Sequence, residues 1–219
     1  MQSRELAVPG VIEFIPEVFP DMRGRFVAPF QQAAFLEATG HRLSLAQSNY
    51  SVSRRGVIRG VHFSDVPPGQ GKYVYCPRGA LLDVAIDVRV GSPLFGRWDA
   101  VVLDDLTHRA VYLPEGVGHA FIALAEDTTM AYLCSTGYSP ATEHTVNPLD
   151  PDLRLPWPPD VEYLLSERDR SAPTLSAAQD AALLPHWRTC QAHYAELRHS
   201  TNPPHSAGSA GFAGSPSPR

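Results

Sequence analysis

The stretch Ala80-Leu-Leu-Asp-Val-Ala-Ile-Asp-Val-Arg-Val90 alternates its side chains in the way that a β-strand with two different faces requires. Asp83, Asp87 and Arg89 fall on one face, while the other face is made of valine and isoleucine. Because buried polar groups must find partners, the polar face is compatible with an internal network, with a wet ligand cavity or with a surface turned to solvent. The alternation alone leaves these three interpretations open.

Short β-branched and aromatic runs, separated by Gly and Pro, extend on both sides of this stretch. In one of them Gln47, Asn49 and Ser51 share a face. Brief strands at even spacing predict an all-β sandwich or barrel, and the absence of alternating long helices argues against a doubly wound sheet. The predicted strands cover residues 11–15, 45–53, 57–63, 72–76, 80–90, 99–103, 109–113, 120–125 and 128–135.

Helical composition is confined to residues 32–39 and 176–198, and Pro185 must break or kink the second segment. The Pro/Ser/Gly/Ala-rich end of the chain cannot bury a core, which predicts disorder. We therefore expect a barrel over residues 1–175, a helical segment packed on it over 176–199, and a disordered tail over 200–219.

The composition excludes several classes of protein. With 219 residues the chain suits one domain, and its net charge of −5 offers no basic stripe for a nucleic acid. No apolar run approaches the ~18 residues of a membrane span. Arg4, Glu5 and Glu13 lie where a signal peptide needs an unbroken apolar core, and the three cysteines form no C-x-x-C pair. We expect a soluble cytoplasmic protein without nucleic-acid or membrane partners.

The segment Arg59-Gly-Val-His62-Phe63 carries two groups suited to chemistry. Strict alternation places Arg59 and His62 on opposite faces, but Gly60 between them is compatible with a bulge that brings both into one cavity. Lys72 follows nine residues later and is the only lysine among 18 basic residues. An ammonium is a compact point charge, which arginine cannot imitate.

Further candidates occur downstream. Leu113-Pro-Glu-Gly-Val-Gly-His119-Ala-Phe121 is a turn that delivers a histidine to the head of a strand, Tyr132 and Tyr138 follow, and Ser166-Glu-Arg-Asp169 completes the set. With these pieces the sequence resembles the dTDP-4-dehydrorhamnose 3,5-epimerase family, in order, from about residue 5 to residue 184. The other matching pieces are Asp21-Met-Arg-Gly-Arg-Phe26, Gln47-Ser-Asn49, Arg59-Gly-Val-His-Phe63, Lys72-Tyr-Val74, Asp83-Val-Ala-Ile-Asp-Val-Arg89, Ser92-Pro-Leu-Phe-Gly-Arg-Trp98, Asp150-Pro-Asp-Leu153 with Trp157-Pro158, and Leu165-Ser-Glu-Arg-Asp169.

The resemblance implies a double-stranded β-helix, a cupin-type jelly-roll barrel, that forms a homodimer and uses no cofactor or metal. It implies a dTDP-linked 4-keto-6-deoxyhexose as substrate. His62 would be the general base, oriented by Asp169, while Lys72 would face the C4 oxygen and Tyr132 would return a proton on the opposite face. The remaining site residues would contact the substrate. The diphosphate and sugar would be bound by Arg23, Arg59, Gln47, Asn49 and Arg168. The thymine would pack on Phe26 and Tyr138, and His119 would line the same pocket.

Elementary chemistry agrees with these roles. A C4 ketone acidifies the hydrogens at C3 and C5, so inversion needs a base on one face of the sugar and an acid on the other. Imidazole is the natural base near neutral pH, and a carboxylate on its far nitrogen fixes tautomer and orientation. A fixed cation stabilises the negative charge that develops on the C4 oxygen.

Two departures from the family pattern bear on the product. Ala28-Pro29 stands where bifunctional members usually carry a glutamate, and Ser64 replaces a frequent glutamine. In these places the chain is more similar to antibiotic-sugar members that act at one carbon alone. The resemblance therefore implies a 5-epimerase or a 3,5-epimerase. Because Tyr132 favours delivery of a proton to C5, we expect exchange at C5 with little or none at C3.

Two other functions are compatible with a cupin-type barrel. One is a metal-dependent enzyme, either a dioxygenase or an isomerase, and the other is a non-catalytic nucleotide-sugar-binding protein. Metal cupins usually supply a His-x-His pair, whereas here His62 is followed at the second position by Ser64. The joint presence of His62, Asp169, Tyr132 and Lys72 argues against a binding module.

Overall fold

Strands dominate the fold, which a computed structural model describes over residues 1–201. The strands are β1 (Gln2–Glu5), β2 (Ile12–Ile15), β3 (Val18–Asp21), β4 (Gly24–Val27), β5 (Gln47–Ser53), β6 (Ile58–Ser64), β7 (Lys72–Arg78), β8 (Ala80–Ile86), β9 (Trp98–Asp104), β10 (Ala110–Leu113), β11 (Gly118–Ala123), β12 (Thr128–Cys134) and β13 (Glu143–Thr145). The helices are α1 (Gln32–Thr39), α2 (Glu167–Arg170), α3 (Leu175–Asp180) and α4 (Trp187–Thr201).

Two antiparallel sheets form the body of the domain. One sheet has the order β1-β2-β10-β7-β12-β5 and the other the order β13-β6-β11-β8-β9, while β3 and β4 pair only with each other. A core cluster joins side chains of both sheets, such as Val74 and Met130 from the first sheet with Leu81 and Phe121 from the second. The site described below lies between these sheets.

Every strand that the sequence predicts between residues 11 and 135 is present, with ends shifted by a few residues. Strands β1, β3, β4 and β13 were not predicted. They are only three or four residues long, and β1 is exposed along its whole length. Such segments lack the apolar alternation that marks a half-buried strand.

The polar face of residues 80–90 is buried, so the solvent-facing interpretation is wrong. Arg89 is fully buried, and its Nε donates to Asp87 Oδ1 at 2.8 Å. Its other nitrogens donate to Tyr194 Oη and the Pro9 carbonyl, both at 3.1 Å, and its guanidinium lies 4.5 Å from the ring centre of Trp187. This internal network attaches α4 to the barrel.

The helix at 32–39 matches α1, whereas the predicted segment 176–198 is divided into α3 and α4 with Pro185 between them. The short helix α2 was not predicted. Residues 200 and 201 belong to α4, and the remainder of the predicted disordered tail lies outside the described residues. Within residues 1–201 no helix combines the length and the apolar character needed to cross a membrane.

Candidate active site

A β-bulge brings Arg59 and His62 to the same side of β6. His62 pairs with His119 of β11 and Arg59 pairs with Phe121, so three steps along β6 correspond to two along β11. Gly60 lies within the bulge at φ +120°, and a Cβ there would come within 2.5 Å of the His119 carbonyl oxygen. Only glycine tolerates this approach, and the bulge expected from the sequence is confirmed.

The His62 imidazole is hydrogen-bonded to Asp169, a residue 107 positions further along the chain. His62 Nε2 lies 2.8 Å from Asp169 Oδ1; the histidine side chain is 26% exposed and the aspartate 5%. Ser166 caps α2 by accepting a hydrogen bond from the Asp169 amide at 3.1 Å. The carboxylate is therefore held by α2, while part of the imidazole remains exposed.

Burial by itself raises the pKa of Asp169, but other groups outweigh it and hold that pKa below its ordinary value. These groups are the hydrogen bond and charge of His62, the Ser166 hydroxyl and the Arg168 guanidinium. An ionised Asp169 is suited to fix the imidazole tautomer and to stabilise an imidazolium.

Lys72 begins β7 on the opposite sheet, paired with Leu113 of β10 and Cys134 of β12. Its side chain is buried, and this burial lowers the pKa of its ammonium, as does Arg168, whereas Glu143 and Cys134 act in the other direction. The Glu143 carboxylate in turn lies 3.2 Å from Arg168. Lys72 is thus a poorly hydrated amine that is linked electrostatically to Glu143 and Arg168 of the site.

Tyr132 and His119 meet across the two sheets, with ring centres 6.2 Å apart and planes at 74°. His119 Nε2 lies 2.6 Å from Asp83 Oδ1, and both side chains are buried. Burial raises the pKa of the Tyr132 phenol, so the phenol keeps its proton at neutral pH. This second His–Asp pair accounts for the buried position of Asp83.

Four further candidates are connected to one another by hydrogen bonds. Gln47 donates to Asn49 at 2.8 Å and accepts from the Tyr138 amide at 2.9 Å. The Arg168 guanidinium lies 3.5 Å from the Tyr138 hydroxyl. Through Arg168 these polar groups adjoin Asp169, so β5, α2 and the segment after β12 contribute to one site.

Arg23 and Phe26 are the two predicted site residues that have no contact with the other candidates among the described residues. They lie on the β3–β4 hairpin, which pairs with no other strand among the described residues. The Arg23 guanidinium bonds to Asp21 of the same hairpin at 2.6 Å, and Phe26 is 69% exposed.

The family model of dTDP-4-dehydrorhamnose 3,5-epimerase matches residues 5–177. A dTDP-4-dehydrorhamnose 3,5-epimerase from Mycolicibacterium smegmatis is 52% identical over 198 residues, which cover 90% of this chain and 98% of the relative. The chain belongs to this epimerase family. A dTDP-4-dehydrorhamnose 3-epimerase from Streptomyces niveus is 54% identical over 192 residues, covering 88% of this chain and 92% of the relative.

The fold of the epimerase is also that of solved family members. The 3'-monoepimerase ChmJ from Streptomyces bikiniensis, in complex with dTDP-quinovose, superposes with a TM-score of 0.86 at 49% identity, covering 88% of this chain and 98% of ChmJ. The expected cupin-type jelly roll is confirmed. The comparisons support an epimerase, and they do not support the metal-dependent or the non-catalytic alternative.

Sequence reasoning missed two side chains of the epimerase site, Glu143 and Cys134. Both interact electrostatically with Lys72, and Glu143 also pairs with Arg168. Glu143 lies in a short strand without alternation, and only its register opposite Ser64 places it here. In the sequence, Cys134 is indistinguishable from the other apolar residues of β12. Only the register between β12 and β7 places it opposite Lys72.

Proposed function

We propose that the protein inverts both C3 and C5 of a dTDP-linked 4-keto-6-deoxyhexose without a metal or organic cofactor. The observation that carries this proposal is the position of the His62–Asp169 pair and of Tyr132 on opposite sheets. Tyr132 contacts His119, the cross-strand partner of His62, and Lys72 interacts electrostatically with Glu143 and Arg168 beside Asp169. A base and an acid on two sides of a substrate are what inversion of a carbon adjacent to a ketone requires.

The reaction follows from these groups. His62 removes the proton next to the C4 ketone, and Asp169 stabilises the imidazolium that results. The electron pair moves onto the C4 oxygen, where the buried ammonium of Lys72 stabilises the enolate. A proton then returns from the opposite face; for C5 the Tyr132 phenol supplies it.

Inversion at both carbons combines two lines of support. The M. smegmatis relative is named a 3,5-epimerase and the S. niveus relative a 3-epimerase, so their names have C3 in common. The tyrosine at position 132 supports delivery to C5. Inversion at both carbons replaces the expectation from Ala28-Pro29, which favoured exchange at C5 with little or none at C3. Use of the product in an antibiotic sugar agrees with the similarity to NovW, a 4-keto-6-deoxy sugar epimerase from the novobiocin biosynthetic gene cluster of Streptomyces spheroides.

Incubation with dTDP-4-keto-6-deoxyglucose in deuterated water tests the proposal. We expect nuclear magnetic resonance to find deuterium at C3 and at C5, with inverted configuration at both. Label at C5 alone would support the Ala28-Pro29 expectation, and label at C3 alone would make Tyr132 a packing residue. Absence of deuterium at both carbons, with the substrate bound, would exclude the proposed epimerase activity.

The Tyr132→Phe variant separates the base from the acid. Because His62 is untouched, C5 should still lose its proton, but label should return with retained configuration. Tyr163→Phe is the control, since that hydroxyl bonds to the Pro158 carbonyl at 2.9 Å, outside the cavity. Normal inversion at C5 by Tyr132→Phe would exclude the phenol as the acid.

We also propose a homodimer in which each β3–β4 hairpin lies on the partner's β5. The hairpin exposes Phe19, Met22 and Phe26, and β5 is an edge strand that exposes Tyr50 and Val52. Apolar side chains on an unpaired edge favour association. In such a dimer, Arg23 and Phe26 would reach the partner's Gln47 and Asn49 on β5.

Co-expression of two inactive chains tests this arrangement. One chain carries His62→Ala and the other Arg23→Ala, so each mixed dimer has one intact site only if Arg23 serves the partner's His62. We expect activity to return in the mixed dimer, isolated with two different tags. A mixed dimer as inactive as its parents would assign both residues to one chain, and a monomer in solution would exclude the dimer.

We propose that the enzyme works in the cytoplasm. The three cysteines are free and buried, which agrees with a reducing compartment.

A further inference from the structure

Glu115 is a buried carboxylate in the turn between β10 and β11. Its side chain is 2% exposed, and it takes part in none of the ion pairs found within residues 1–201. Its hydrogen-bond partners are neutral: the Ser135 hydroxyl donates to Oε1 at 3.0 Å, and the Tyr112 hydroxyl lies 3.5 Å from Oε2. Moving a carboxylate from water into the protein interior costs free energy, so a buried carboxylate with only neutral hydrogen-bond partners is a candidate for a functional role.

The Ser135 hydroxyl joins Glu115 to the residue that precedes Lys72. It accepts a hydrogen bond from the Gly71 amide at 2.8 Å while donating to Glu115. The Ser135 amide completes the pair by donating to the Gly71 carbonyl at 2.9 Å. Ser135 follows Cys134, the residue opposite Lys72, so this bridge lies directly beside the lysine.

The chain around Gly71 is shaped to the carboxylate. A Cβ at Gly71 would lie 2.7 Å from Glu115 Oε1, and a Cβ at Gly69 would lie 2.6 Å from Glu115 Cβ. Glu115 also follows Leu113, the partner of Lys72 on β10, by two residues. The carboxylate therefore connects the ends of the three strands that meet at Lys72.

We propose that Glu115 is a positioning residue: through Ser135 and Gly71 it holds Lys72 at the site where the enolate oxygen forms. The inference rests on the proposed function for the role of Lys72. A misplacement of about 1 Å costs ~10²-fold in rate in such sites. Glu115 touches neither the substrate cavity's base nor its acid, and it acts only through the strand ends.

Helix α4 contacts the main chain of Glu115 and Gly116. The Tyr194 hydroxyl donates to the Glu115 carbonyl, and Cys190 Sγ lies 2.6 Å from where a Cβ on Gly116 would be. The family model ends at residue 177. The positioning of Lys72 thus extends to a helix beyond the matched segment.

A double-mutant cycle tests the connection. Glu115→Gln and Ser135→Ala should each lower kcat by ~10- to 100-fold, with KM and dTDP binding within about twofold of wild type. Because both act through one bridge, the double variant should be no slower than the slower single variant. Losses that multiply in the double variant would mean that the two residues act independently.

Glu13→Gln is the matched control, because Glu13 is the other fully buried carboxylate near β10 and pairs with Arg4 and Arg109. It should lower the melting temperature without lowering kcat. An equal loss of kcat in Glu13→Gln and Glu115→Gln would reduce Glu115 to a general stabiliser of the fold.

A readout without turnover separates this inference from the proposed function. Lys72 is the only lysine, so ¹³C labelling at the lysine ε-carbon gives one resonance that titrates with its ammonium. Glu143 supports the charged form, so a lysine displaced from Glu143 should titrate at lower pH. We expect titration at lower pH than in wild type in Glu115→Gln and also in Ser135→Ala, which leaves the charge of Glu115 in place. An unchanged titration would overturn the positioning role even if wild type is inactive on the chosen sugar.

Discussion

The His62→Ala variant should lose ~10²- to 10⁴-fold in the rate of proton exchange, the usual cost of removing a general base. The fold should survive, because His62 lies at the cavity and its side chain is 26% exposed. Binding of dTDP should remain close to that of wild type, since the imidazole has no part in holding the nucleotide. The measurement is deuterium incorporation from solvent, followed at C3 and C5 separately.

A second surface pair provides the control. His144 Nε2 lies 2.8 Å from Asp65 Oδ1, the same distance as in the His62–Asp169 pair, and the His144 side chain is 23% exposed, close to His62, whereas Asp65 is more exposed than Asp169. His144→Ala should leave exchange nearly unchanged. Exchange at the wild-type rate in His62→Ala would refute the base, and global unfolding of that variant would make His62 a structural residue.

Local backbone chemistry made part of the site predictable. The glycine at position 60 predicted a bulge between Arg59 and His62. The bulge is present, and it requires glycine because a Cβ at this position would collide with the backbone of β11. Alternation likewise selected the face of Asp83, Asp87 and Arg89. It left the burial of that face undecided, because a period of two says only which side chains are neighbours.

Glycine positions and side-chain alternation do not predict the register between strands that are distant in the sequence. The contact of His62 with Asp169 joins residues 107 positions apart, and only the family resemblance suggested it. Glu143 and Cys134 reach Lys72 through cross-strand pairing, which leaves no local mark in the sequence. The family resemblance included Arg23 and Phe26, but their hairpin pairs with no other strand among residues 1–201, so no register links it to the site.

Asp169→Asn should keep the geometry of the site and lose most of the rate. An amide can present its NH₂ to the imidazole, which selects the wrong tautomer, and the analogous change in a serine protease costs ~10⁴-fold. The pKa of Asp169 is lowered in the fold, so its ionised form also stabilises the protein above the ordinary aspartate pKa of about 3.9. That contribution disappears as the pH falls through the lowered pKa, and the variant should lack it.

The Asp150→Asn variant separates the loss of rate from the loss of stability. The Asp150 carboxylate is buried and accepts hydrogen bonds from backbone amides, including that of Leu175 at 2.7 Å. Asp150→Asn should lower stability at neutral pH without slowing exchange. Asp169→Asn should lower both, with KM nearly unchanged. Retention of more than about a tenth of the wild-type rate, against the expected ~10⁴-fold loss, would exclude Asp169 as the partner that orients the base.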